Sequence, residues 1–128
     1  MTHPEPATFL QCSREAFSFL EPSRFVPTFE STPIYDAVTF TGRNVALTIS
    51  WDRRDSCVDF SLRTNSARHL GFDTYLVKYH GYRGSLAELR DSSASEAWQR
   101  DIQCYARALQ QLAPELVRDA PLIPAGND

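Results

Sequence analysis

Four charged residues in a row, Asp52-Arg53-Arg54-Asp55, follow Trp51, and Arg43 and Asn44 lie in the turn one predicted strand earlier. Arginine and tryptophan are enriched at the energetic centres of protein interfaces, so the chemistry this group points to is recognition of a protein partner. A carboxylate dyad or metal site built on Asp52 and Asp55 is the competing reading. Flanked by two arginines in a turn sequence, however, the two aspartates are turn formers and ion partners.

Other reactive side chains are dispersed. His3, His69 and His80 sit in three separate contexts, none with a second ligand or a carboxylate at motif spacing. Cys12, Cys57 and Cys104 are odd in number and far apart, without a Cys-x-x-Cys pair, which argues against a disulfide framework and against zinc. Cys57 precedes a strand with no positioned histidine to activate it, and Cys12 and Cys104 fall in helical stretches as core filler. Gly42, Gly71, Gly81 and Gly84 are too sparse for a phosphate-cradling loop. No catalytic residue, cofactor or metal is expected.

The elements that must position these residues are legible from periodicity. Val38 and Phe40, then Val45, Leu47, Ile49 and Trp51, then Val58, Phe60 and Leu62 alternate with small or polar residues. Thr41-Gly42-Arg43-Asn44 and Asp52-Arg53-Arg54-Asp55 are the joints of an antiparallel meander with one buried face. The opposite face carries Thr39, Ala46, Thr48, Ser50, Asp59, Ser61 and Arg63, and is solvated or covered by a partner. Phe25 and Phe29, on either side of Pro27, predict an edge strand at most.

Helical spacing of Phe9, Cys12, Ala16, Phe19 and Leu20 after a Thr8/Gln11 capping box predicts a first helix over 9–20, stopped by Pro22. Residues 64–71 read as a loop. Phe72, Tyr75, Leu76 and Tyr79 fit a short helix ended by Gly81 and Gly84, against a strand reading of Tyr75, Val77 and Tyr79. Leu86 and Leu89 start a further turn before a linker at Ser92–Ser95. A capping box at Ser93/Glu96 opens a long amphipathic helix through Trp98, Ile102, Tyr105, Leu109, Leu112 and Leu116, which Pro114 kinks or restarts. The helices must bury the apolar sheet face, so the fold class is α+β: a two-layer sandwich of an N-terminal helix, a meander of three to four strands and a long C-terminal helix.

With 42% hydrophobic residues, the chain can fold as a single domain over 1–128, with 1–8 and 120–128 as loose tails. Residues 1–40 hold five acidic and two basic residues, 41–83 four and seven, and 84–128 seven and four. No basic stripe follows from that distribution, which excludes a nucleic-acid partner. Met1–Thr8 is polar with two prolines, unlike a signal peptide, and no apolar run reaches the ~18 residues of a membrane span. The expected compartment is the cytoplasm.

Ala16-Phe17-Ser18-Phe19-Leu20, Ile49-Ser50-Trp51-Asp52-Arg53-Arg54, Tyr105-Ala106-Arg107-Ala108-Leu109 and Glu115-Leu116-Val117-Arg118-Asp119 together resemble small bacterial proteins of actinobacterial type. In these a helix leads into a strand, Asp-Arg-Arg turn, strand hairpin, and a long helix closes the domain. Their size and layout are similar to those of immunity proteins of polymorphic and contact-dependent toxin systems. The resemblance spans residues 9–119 and implies a cytoplasmic, non-catalytic inhibitor whose partner is a cognate protein toxin and whose fit blocks the toxin's active site. The alternatives are an adaptor or subunit joined through the uncovered sheet face or an edge strand, and a small enzyme with a dispersed site. The contact surface expected for the toxin is the rim of Trp51, Asp52, Arg53, Arg54 and Asp55 with Arg43 and Asn44.

Overall fold

The period-two segments form strands in a computed structural model that describes residues 4–64, 69–84 and 96–121. β1 (Val26–Ser31), β2 (Tyr35–Thr41), β3 (Val45–Asp52), β4 (Cys57–Thr64) and β5 (His69–Gly71) make one antiparallel sheet in sequence order. The register is set by the alternation: Val38 lies opposite Ile49 and Ile49 opposite Phe60, so one face is continuously apolar across three strands. A slip of one residue would turn that whole set to solvent.

Among the described residues, helices cover this face and no other. α1 (Pro6–Ala16) buries Phe9 and Ser13, and Phe17 follows at its C-terminal cap. The Phe17 ring meets Phe40 and Phe60 at centroid distances of 5.6 and 5.2 Å. Phe72 and Tyr105 also approach Phe60, at 4.9 and 5.4 Å, so aromatic contacts join the two layers. α3 (Ala97–Leu112) buries Trp98, Ile102 and Leu109, and the stripe continues to Leu116 in α4 (Pro114–Val117). The architecture is the expected two-layer α+β sandwich.

Several boundaries move, each for a local reason. The first helix begins at Pro6, where a missing N–H and a fixed φ suit the first helical position, and it has Glu5 rather than a bonded capping box at its entry. It ends at Ala16, and Ser18–Ser23 is a separate 3-10 turn that contains Pro22. The segment from Phe72 is helical, as α2 (Phe72–His80). Gly81 closes α2 at φ 63°, where its N–H and that of Tyr82 donate to Val77 O and Leu76 O. A fifth strand, His69–Gly71, stands in what the sequence reads as loop, since three residues are too few to show alternation. Pro114 restarts the final helix after Ala113. The Leu86/Leu89 turn, the Ser92–Ser95 linker, His3 and Ser93 of the second capping box lie outside the described residues; Glu96 caps α3 without a side-chain bond. Among the described residues no helix is long and apolar enough to cross a membrane.

Candidate functional site

The charged turn after β3 is divided by its own folding. Asp52 Oδ1 accepts the N–H groups of Arg54 and Asp55 at 2.8 and 3.1 Å, and these bonds hold its carboxyl below its ordinary pKa. Ser56 completes the turn at φ 51°. Arg54 and Asp55 are exposed, whereas Arg53 turns back on the protein. Its guanidinium pairs with Asp36 and reaches the Thr32 carbonyl, and its backbone N–H donates to Ile34 O at 2.9 Å. Asp36 is fully buried and also accepts the Ser31 hydroxyl at 2.6 Å. Arg53 therefore locks the β1–β2 turn to the β3–β4 turn.

Trp51 is 3% exposed and faces the helices, so it is a core residue and leaves the expected contact surface. Arg43 and Asn44 leave it too, because β3 carries the chain eight residues from Asn44 to Asp52, roughly 26 Å at ~3.3 Å per residue. Their turn is pinned from elsewhere. Asp119, after α4, accepts the N–H groups of Arg43, Asn44 and Val45 at 2.5, 2.8 and 3.0 Å, and the Asn44 amide donates to Asp119 O at 2.8 Å. The expected rim is thus two separate structural joints, with Asp52, Arg54 and Asp55 left as surface at one and Arg43 at the other.

The surviving surface belongs to a different feature, the uncovered face of the sheet. Asp52 and Arg54 there line a concavity of about 670 Å³ with Tyr35, Asp59, Arg63 and His69. Strand pairing places these side chains: Tyr35 stands opposite Asp52, Ser50 opposite Asp59, and Arg63 opposite His69. The floor is small and polar, with Thr39 and Thr48 sharing a 3.0 Å hydrogen bond. Toward β1, the Tyr35 hydroxyl donates to Glu30 at 2.5 Å, and this bond pushes the phenol above its ordinary pKa. Acids and bases share the face, which suits it to a partner of matched, mixed charge.

A second polar cluster escaped the sequence reading. Glu115 Oε2 accepts the Tyr75 hydroxyl and lies 2.5 Å from His80 Nε2, and the Tyr75 ring stacks on Tyr79 at 4.7 Å. Burial, then donation to Glu115, raises the Tyr75 pKa far above that of a free phenol, so it stays a neutral donor and no nucleophile. Partial burial pushes Glu115 up, but the bonds from Tyr75 and His80 outweigh it and leave its pKa below the ordinary value. The cluster clamps α2 to α4. Since Glu115 is more acidic folded than unfolded, its stabilisation is full above the ordinary carboxylate range and is lost as pH falls through its folded pKa. Urea denaturation of the wild type and Glu115→Gln is expected to show a stability gap near pH ~7 that shrinks by pH ~3. No motif spacing announces this cluster, whose members are 35 and 40 residues apart.

No disulfide joins Cys12, Cys57 or Cys104, and burial, more than the acidic neighbours, raises the pKa of Cys12 and Cys57. Alkylation after unfolding without reductant is expected to label all three; an intramolecular bridge would contradict the arrangement. Among the described residues no group of three or more His, Cys, Asp or Glu is placed to hold a metal ion. Compared with protein-family models, curated proteins and solved structures, the chain matches none of them.

Proposed function

We propose that this chain is an immunity-type protein: a non-catalytic inhibitor that binds a folded toxin domain and covers its active site with the open face of the sheet. The observation that carries the reading is the one-sided sandwich. Among the described residues, a five-stranded sheet with helices on a single face leaves a polar surface free. Its Glu30, Asp52, Asp59, Arg54 and Arg63 side chains are held on strands and a tight turn, so little loop ordering opposes binding. Charges of both signs steer encounter and reject partners of unmatched pattern. In this reading inhibitor and toxin meet in the cytoplasm.

The reading is tested with the product of the gene adjoining this one. Calorimetry should give tight one-to-one binding, and co-expression should restore growth to cells arrested by that product. Absence of both binding and rescue would overturn it.

A further inference from the structure

On and just after β1, large apolar side chains stay exposed: Val26, Phe29 and Ile34 are 59, 49 and 46% exposed. Hydrogen-bond alternation tells which backbone groups of β1 are open. Thr32 N–H donates to Tyr35 O, so Thr32 and Tyr35 form a hydrogen-bonded pair, and counting back in twos assigns Glu30, Thr28 and Val26 to the β2 side. The same parity runs through the sheet, where Gly42 N–H donates to Val45 O and Arg53 N–H to Ile34 O. Pro27, Phe29 and Ser31 therefore point their backbone groups outward. Pro27, which has no N–H to give, removes no ladder bond there.

We propose that β1 pairs antiparallel with β1 of a second copy, across a twofold axis at Phe29. In this register Phe29 lies opposite Phe29 of the other copy and Pro27 opposite Ser31, so every outward N–H of both strands finds a carbonyl. Phe29 exchanges two bonds with its twin, and each Ser31 N–H meets a Pro27 carbonyl. The missing donor of Pro27 leaves no opposing donor without an acceptor.

Neighbouring registers fail on the same residues. Centring the axis on Glu30 sets two carboxylates directly opposite each other, which is destabilising across a strand pair. Centring it on Thr28 sends the Ser31 donor past the start of β1 toward Phe25, beyond the strand. The Phe29 register instead places Glu30 opposite Thr28. A twofold normal to the sheet keeps all helices on one side of a continuous ten-stranded sheet and joins the two open faces edge to edge. This inference is independent of the toxin reading, since it concerns the edge and not the face.

The contact is small and belongs to the transient class, so the test is sedimentation of the full chain over a concentration series up to about 0.5 mM. The wild type should shift from one to two protomers. Phe29→Lys and Phe29→Glu should each sediment as monomers, because each sets like charges opposite one another, and an equimolar mixture should regain the dimer. A wild type monomeric throughout, or a mixture that stays monomeric when both variants are folded by circular dichroism, would overturn the proposal. Amide exchange on the wild type gives a second readout that needs no variant. Phe29 and Ser31 amides should gain protection with concentration while Thr28 and Glu30 are protected throughout; concentration-independent exchange at Phe29 and Ser31 would also overturn it.

Discussion

Arg53→Ala is expected to lower the folding free energy by about 3–5 kcal/mol, the loss that follows when one partner of a buried ion pair is removed. The reason lies with Asp36 rather than with the arginine. Asp36 is inaccessible to solvent and keeps only the Ser31 hydroxyl once the guanidinium is gone, and its Oδ2 has no hydrogen-bond partner even with Arg53 in place. An uncompensated carboxylate on the core face has no way to recover its hydration. Arg53 is itself 28% exposed, which places the effect toward the lower end of that range. Adding Asp36→Asn should restore roughly half of the loss, since the buried charge disappears while an acceptor for Ser31 remains. Denaturant midpoints for the single and double variants measure this. An Arg53→Ala protein as stable as the wild type would show that the pair does not join the two turns.

Asp119→Ala is expected to lower the folding free energy by about 2–4 kcal/mol, because one carboxylate accepts three backbone N–H groups of the β2–β3 turn and charged acceptors form the stronger hydrogen bonds. The approach is so close that a Cβ on Gly42 would stand 2.6 Å from Asp119 Cγ, so Gly42→Ala should reproduce part of the defect. Asp119 holds φ 56°, a left-handed conformation an aspartate tolerates better than alanine, which adds to the expected loss. Asp119→Asn keeps one oxygen and should lose about half as much. Thermal or urea unfolding distinguishes the three variants. Equal stability of Asp119→Ala and the wild type would show that the turn holds its shape without the carboxylate.

Both predictions bear on how far the sequence could be read. The meander and the closing helix were legible because each rests on a periodicity repeated over many residues: Val45 to Trp51 alternates, and Trp98 to Leu116 recurs every three or four positions. Which residues of the charged turns stay on the surface is decided by side-chain partners, not by periodicity. Arg53 finds Asp36 across two strands, and Asp119 reaches the β2–β3 turn from more than seventy residues away. One signal was present. Asp36 is in phase with Val38 and Phe40, and Arg53 with Ile49 and Trp51, so strict parity already assigned an acid and a base to the core face, where charges occur in pairs. The polar face was visible as the complementary set of Thr39, Thr48, Ser50, Asp59 and Arg63. His69 joined it only through β5, a strand too short to be read.

The central claim is that the open face of the sheet, and not the β2–β3 turn, meets the partner protein. Calorimetry of Asp59→Arg and Arg43→Glu against the product of the adjoining gene tests it most directly, because Asp59 stands on that face opposite Ser50 while Arg43 is exposed on the turn held by Asp119. Asp59→Arg should weaken binding by at least ~30-fold, about 2 kcal/mol, and Arg43→Glu should leave it within about twofold of the wild type. Unchanged binding by Asp59→Arg, or a larger loss from Arg43→Glu, would contradict the account.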